Sequence, residues 1–307
     1  MRRHVGSQID GELRPQWVAR PERLGPIVVR AATWLALTLG RAGSRVLLFF
    51  ICWYFLAASA RDRAASRQYL RRALGREPRW ADLFRHYHTF AATLLDRVYL
   101  LKGQFMRFDV RVHGEPIVAD MAARGEGCLL LGAHMGSFEI VRFLGREAGG
   151  VNVSLVMYEE NARRLNAVLN AINPRLAMRI IALGKADSML QVESALARGE
   201  FVGMLGDRTI EGEGTVACPF LGEPARFPVG PFRIAAMLGR PVVLMLGLYR
   251  GGNRYEIHFE KLADVRRTDP RRRDQVLEQA VRDYVARLEH YCRLAPYNWF
   301  NFYDVWK

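Results

Sequence analysis

Residues 128–140, Cys-Leu-Leu-Leu-Gly-Ala-His-Met-Gly-Ser-Phe-Glu-Ile, constrain the fold more than any other stretch. Cys128 to Leu131 is a short apolar run with the length of a buried strand, and Gly132 breaks it. His134 follows on the loop. Ser137 is placed to cap a helix, its hydroxyl accepting from the first free backbone N–H groups. Glu139 then falls in the first helical turn. The unit reads as strand, histidine-bearing loop, and helix with an early carboxylate.

The surrounding pattern repeats strand and helix. Phe108 to Val112 reads as a strand and Pro116 to Arg124 as a helix. Val151 to Met157 is the next strand, and Asn161 to Ala171 a helix ended by Pro174. Met178 to Leu183 is a third strand. Ser188-x-x-Gln191 has the form of a capping box that opens a helix through Ala197. Phe201 to Leu205 is a further strand, followed by Gly206-Asp207-Arg208. Strands follow over Pro241 to Tyr249 and Tyr255 to Phe259, then an amphipathic helix over residues 274–294. Such alternation specifies an α/β fold with a largely parallel central sheet flanked by helices. Ligands in such folds bind beyond the carboxyl ends of the strands. His134 and Asp207 both lie just past such ends, which predicts one cleft for the two.

The spacing of the first pair can be read chemically. On a continuous helix His134 and Glu139 would point about 140° apart. With His134 on the loop before the helix, the side chains can meet. A carboxylate on one imidazole nitrogen fixes the tautomer and leaves the other nitrogen free as a base. No nucleophile accompanies them, because Gly-x-Ser-x-Gly is absent around Ser137. A base without an enzyme nucleophile suits direct attack by a substrate hydroxyl. As a bare pattern, a loop histidine and a carboxylate favourable to the helix dipole would look the same.

His134-Met-Gly-Ser-Phe-Glu139 resembles the His-x4-Asp/Glu block of the lysophospholipid acyltransferase superfamily. Its flanks are most similar to the branch of bacterial lipid A late acyltransferases, and the similarity runs from about residue 30 to the C-terminus. Asp207-Arg208 resembles the family's second block, where Asp-Gln is usual, so Arg208 is a departure. Pro219-Phe-Leu-Gly-Glu-Pro-Ala-Arg-Phe-Pro-Val-Gly-Pro-Phe-Arg233 resembles the Phe-x-Gly…Pro-x-Gly-Pro segment. There Gly222 and Gly230 permit tight turns, Pro231 suits a helix start, and the free N–H groups of that helix suit an anion. Arg226 and Arg233 add charge. The aromatic tail Pro296 to Trp306 resembles the family's C-terminal segment, with Asn301 and Asp304 in place of its usual basic pair.

The resemblance implies a membrane-bound acyltransferase at the cytoplasmic face of the bacterial inner membrane. A fatty acyl chain would pass from acyl carrier protein or CoA to a hydroxyl or amine of a lipid or glycolipid such as a lipid A precursor. Other acceptors, among them an aminolipid, a phospholipid or a polyketide-like lipid, fit the same chemistry, as does a lipid-binding protein with a dead site. In the catalytic reading His134 is the general base and Glu139 orients it. Asp207, Arg208, Arg226, Gly230 and Pro231 bind substrate. Arg175 or Arg179 would fill the place of an arginine the family often has. No metal and no cofactor beyond the thioester co-substrate is implied.

Composition bears on partners. The 307 residues carry a formal charge of +14, and only four are lysine, so the excess is nearly all arginine. Such a charge favours acidic partners, including an acidic carrier protein. Nucleic acid is excluded as the expected partner, because no basic motif interleaved with aromatics is present. Arg266, Arg267 and Arg271 to Arg273 cluster around Asp269-Pro270 as a solvated face or a carrier-protein contact. The four cysteines have neither metal-ligand nor disulfide spacing and read as core residues. His86-x-His88 sits in a helical context without a third ligand, which argues against a metal there.

Three regions follow from these patterns. Residues 1–25 form a polar arm. Residues 26–100 form a helical, membrane-associated region with apolar stretches at Ala31 to Leu39 and Val46 to Ala60. The second is shorter than the ~20 residues of a simple span and starts too late for a signal peptide. Trp34, Trp53 and Tyr54 suit a headgroup boundary, and Arg61, Arg63, Arg67, Arg71 and Arg72 suit anionic lipid. Residues 101–307 form the α/β catalytic domain.

Overall fold

The apolar runs that alternate with helices along the chain assemble into one seven-stranded sheet. The computed structural model describes residues 26–143, 152–173, 179–184, 187–209, 212–265 and 270–307. The polar arm, Arg175, Arg266 and Arg267 lie outside the described residues.

Three helices come first: α1 (Pro26–Ala58), α2 (Ala60–Leu74) and α3 (Trp80–Leu101). β1 (Asp109–His113), α4 (Glu115–Ala123) and β2 (Leu129–Gly132) follow. Next are β3 (Val153–Tyr158), α5 (Glu159–Ile172), β4 (Ile180–Leu183), α6 (Ser188–Ala197) and β5 (Phe201–Leu205). A hairpin, β6 (Thr215–Phe220) and β7 (Glu223–Pro228), precedes α7 (Gly230–Met237). The chain closes with β8 (Val242–Tyr249), β9 (Arg254–Ala263) and α8 (Arg273–Leu294).

The sheet order is β1-β9-β8-β2-β5-β3-β4, with β6 and β7 a separate two-stranded ribbon. All neighbours in the large sheet are parallel except β8 and β9, which are joined by a short turn. The central strands are buried on both faces, as a parallel sheet covered by helices requires. Successive residues of β2 therefore feed two cores: Leu129 and Leu131 pack with α8, and Leu130 packs with α3 and α4. Both cores consist of fully buried aliphatic and aromatic side chains, each worth about 1.5–3 kcal/mol against exposure.

The two N-terminal apolar stretches join into one helix, kinked at Gly40, whose φ of 67° and ψ of 174° are not helical. One face of α1 packs on α3. The other exposes Trp34 (66%), Val46 (64%), Phe50 (64%) and Tyr54 (67%), with Phe49 and Trp53 beside them. Positions 46, 50 and 54 repeat at helical spacing, so the exposed side chains form a stripe. Arg30–Ala58 is long and apolar enough to cross a membrane. The basic flank is only partly available to lipid. Arg63 Nη1 donates to the carbonyls of Leu56 and Ala57 at the end of α1. Arg72 pairs with Glu223 at 2.6 Å and covers the Trp306 ring at 4.3 Å.

One expectation of helix capping differs in the structure. Ser188 does not build a capping box with Gln191: its hydroxyl donates to Ala182 O, and Gln191 Nε2 donates to Asp187. Both ring nitrogens of His86 are hydrogen-bonded within the fold. Its Nε2 donates to Trp299 O at 2.8 Å and its Nδ1 accepts from Ser66 at 2.7 Å, which ties α2 and α3 to the C-terminal tail.

A buried charge holds α1 to the sheet. Asp96 on α3 is fully buried and accepts from Arg41 Nε (2.7 Å) and Nη2 (2.8 Å) and from Tyr255 O–H (2.9 Å). Removing the acceptor leaves a guanidinium and a phenol unpaired. Asp96→Ala is expected to cost about 3–5 kcal/mol, read as a lower unfolding midpoint in detergent. An unchanged midpoint would show that the network contributes nothing to stability.

Candidate active site

Register explains how two distant residues meet. β2 and β5 are parallel neighbours with Gly132 opposite Leu205. His134 and Asp207 each lie two residues beyond those positions, so both emerge side by side at the carboxyl edge of the sheet. Gly206 N–H donates to Gly132 O at 3.0 Å and carries the pairing past the strand ends.

The Asp207 carboxylate is fully buried and receives four donors. Oδ1 accepts from His134 Nδ1 at 2.8 Å. Oδ2 accepts from the backbone N–H of His134 (2.9 Å), Trp299 Nε1 (2.9 Å) and Asn301 Nδ2 (3.1 Å). Burial alone would raise its pKa. The contact with His134, the charge of Arg208 and the His134 N–H reverse this and hold it well below the usual carboxylate range. An ionised carboxylate only accepts, so the His134 proton sits on Nδ1. Nε2 makes no hydrogen bond among the described residues, and the side chain remains 30% exposed.

Burial lowers the pKa of His134 below its ordinary 6.5; Asp207 opposes the shift, while Arg208 and Arg97 add to it. The imidazole is therefore neutral at pH 7, with its Nε2 lone pair available.

The loop that carries His134 is clamped from both sides. Met135 forms an antiparallel bridge with Trp299, and Gly136 a parallel bridge with Gly247. Phe300 N–H donates to His134 O (2.7 Å), Gly136 N–H to Asn298 O (2.9 Å) and Ser137 N–H to Gly247 O (2.8 Å). Gly136 has φ of 61° and lies directly against Gly247 O, so any side chain there would collide. Asn298 fixes the tail to the end of β8 by accepting from Tyr249 N–H (2.7 Å) and donating to Tyr249 O (3.1 Å).

Glu139 does not take the role expected of it. The segment Phe138–Phe143 is a 3₁₀ helix, with Glu139 in its first turn. The Ser137 hydroxyl donates to Glu139 Oε2 at 3.2 Å instead of capping the backbone. Glu139 Oε1 lies 2.8 Å from Arg97 Nε, an ion pair whose N–H is not aligned for a hydrogen bond. The position on the imidazole that Glu139 was expected to fill belongs to Asp207, because the sheet register delivers Asp207 to Nδ1 and α3 delivers Arg97 to Glu139.

The other expected residues divide. Arg208 lies at the site: its Nε donates to Asn301 Oδ1 at 2.9 Å, and its guanidinium lies 5.6 Å from the Tyr303 ring centroid. The departures at 208 and 301 thus touch each other. Asp207 itself is too buried to meet substrate directly. Arg226 is exposed on the β6–β7 ribbon, where it donates to Thr215 Oγ1 at 3.2 Å. Gly230 and Pro231 do open α7, but the carboxylate of Glu213 lies against Gly230, so the helix start already has an anion beside it. No hydrogen bond or ion pair among the described residues joins Arg226, Gly230 or Pro231 to His134. Arg179 pairs with Glu200 at 3.3 Å on β4's approach and not at the site.

Arg97 and Trp299 are site residues that sequence reading misses. Arg97 carries no motif of its own within a helix. The pairing of His134 with Asp207 did have a signal, the equal offset of both from strand ends.

Comparison with known proteins identifies the family. The model of the bacterial lipid A biosynthesis acyltransferase family matches residues 20–307. The chain belongs to that family. No curated protein matches it. Among solved structures, the 1-acyl-sn-glycerophosphate (LPA) acyltransferase PlsC from Thermotoga maritima is similar at 16% identity and a TM-score of 0.38, over 81% of this chain and 98% of that one. Membership makes the protein an acyltransferase by family, with a lipid acceptor implied.

The tautomer and charge of His134 are directly measurable. With histidine labelled by 15N, its resonances at pH 7 are expected to report a neutral ring protonated at Nδ1, with a midpoint below 6.5. A midpoint above that value would contradict the balance of burial and charge described.

Proposed function

We propose that the protein transfers a fatty acyl chain from a thioester, carried by acyl carrier protein or CoA, to a hydroxyl or amine of a membrane lipid or glycolipid such as a lipid A precursor. The reading rests on one observation: a neutral His134 held at Nδ1 by Asp207, with Nε2 open at the edge of the sheet.

The acceptor O–H or N–H donates to Nε2. As His134 takes the proton, the acceptor atom attacks the thioester carbonyl carbon and negative charge gathers on the carbonyl oxygen. Asp207 stabilises the imidazolium that forms. Arg97 and Arg208, both close enough to bias the charge of His134, would stabilise the negative charge that gathers on the carbonyl oxygen. Collapse re-forms the carbonyl and breaks the C–S bond. The departing thiolate takes the proton back from His134. Glu139 serves this scheme by holding Arg97. General-base catalysis of this kind contributes about 10²–10⁴-fold.

An acidic acyl carrier protein suits the arginine-rich surface, including Arg271, Arg272 and Arg273, through electrostatic steering. The exposed stripe of α1 would lie in the cytoplasmic leaflet of the bacterial inner membrane, with Arg61 and Arg67 near anionic headgroups.

Lipid extracts of cells lacking the protein, or carrying wild-type or His134→Ala protein, test the reaction by mass spectrometry. One lipid should gain the mass of an acyl group only with the wild type. Equal lipid profiles in all three would overturn acyl transfer and favour a lipid-binding role. Membrane attachment has its own test. Phe50→Asp with Tyr54→Asp places two charges on the exposed stripe, at about 2.5–3.5 kcal/mol each near a helix centre. The double variant is expected to move from the membrane to the soluble fraction on centrifugation. Full retention would contradict insertion of this face.

A further inference from the structure

Three side chains with metal-ligand chemistry meet on the two strands at the β1 edge of the sheet. β1 and β9 are parallel, with His113 directly opposite His258. Glu256 lies two residues before His258 in β9 and so projects from the same face. The two imidazoles stack with centroids 4.5 Å apart and planes 10° apart. One ligand atom from each of His113, Glu256 and His258 lies within 4.8 Å of the others. His258 Nε2 is shut off from solvent without a hydrogen-bond partner among the described residues. Glu256 Oε2, at 3.6 Å, is beyond hydrogen-bond range. A buried polar nitrogen of this kind calls for an explanation.

We propose that His113, Glu256 and His258 bind one divalent transition-metal ion of the zinc type. Two imidazoles and one carboxylate suit zinc, cobalt or nickel, whereas magnesium and calcium prefer oxygen ligands alone. Zinc bonds of about 2.0–2.1 Å place tetrahedral ligands about 3.3 Å apart. Binding requires the side chains to rotate from their present spacing, within 4.8 Å, and from the stacked arrangement of the two rings. The exposed His113 leaves a fourth position open to water.

The surroundings set the terms of binding. The Tyr291 ring packs 5.0 Å from the His258 ring and steadies it. Glu260 is held by Arg287 and by Tyr291 O–H, so it stays outside the ligand set. Arg250 is a competitor: its Nε donates to Glu256 Oε2 at 2.7 Å. An ion that takes Glu256 Oε2 competes with this guanidinium. The same β8–β9 turn offers Gly252 O to Arg41 and Arg45 of α1. The ion would therefore fasten the five-residue edge strand β1 to β9.

Calorimetric titration of Zn2+ into the full chain in detergent tests the site. One equivalent should bind to the wild type. His113→Ala and His258→Ala should each weaken binding at least tenfold, and Arg250→Gln should strengthen it. Mg2+ in the same titration should give no heat of binding. His113 is exposed, so His113→Ala leaves the packing in place, and an unchanged melting curve without metal verifies that. Absence of binding in the wild type, equal binding in His113→Ala, or weaker binding in Arg250→Gln would overturn the site. None of these outcomes bears on acyl transfer by His134.

Discussion

The Asp207 carboxylate is where the structure converges. It sits at the end of β5, beside β2, and four N–H groups from the histidine loop and the C-terminal tail point at its two oxygens. A buried carboxylate is tolerated only with such compensation, and breaking one buried partnership costs about 3–5 kcal/mol. The donors satisfy the charge and are themselves fixed by it. Trp299 is held by Asp207 at its indole N–H and by His86 at its carbonyl. The helical N-terminal region, the sheet and the tail thus meet around one charge. Electrostatics here sets both position and protonation: the carboxylate orients His134, while burial keeps the ring neutral.

Positive charge around the imidazole follows the same logic. Arg97 comes from α3 and Arg208 from the residue after Asp207. Each lowers the pKa of His134, and each is anchored, by Glu139 and by Asn301 respectively. The acidic residue of the His-x4-Glu block is thus an anchor for a guanidinium. Arg208 and Asn301 depart from the family pattern at two distant places in sequence, yet they share a hydrogen bond of 2.9 Å.

Much of this was legible in the chain. Apolar runs of strand length, each followed by a helix, specify the covered parallel sheet, and β8 (Val242–Tyr249) spans almost the predicted residues. His134 and Asp207 were placed beyond strand ends because Gly132 and Gly206 punctuate those ends. Partner choice was not legible. Spacing along the chain favoured Glu139, five residues away, over Asp207, 73 residues away. Strand order decides between them, and a linear sequence does not display strand order. Hydrogen bonds from Trp299 and Asn301 are hidden for the same reason. Ser137 and Ser188 do not cap as expected; their hydroxyls are oriented to donate to Glu139 and to Ala182 O.

The dependence of kcat/KM on pH, compared among the wild type, Asp207→Asn and Glu139→Gln, bears most directly on the claim that Asp207 orients the base. For the wild type the acid limb should fall below pH 6.5, the ordinary value for an imidazole. Asp207→Asn removes the carboxylate that favours the charged ring, so the limb should move to still lower pH, with a rate loss of about 10²–10⁴. Glu139→Gln should reduce the rate through Arg97 and shift the limb less than Asp207→Asn does. A limb that moves in Glu139→Gln and stays fixed in Asp207→Asn would contradict the account and return the imidazole to Glu139.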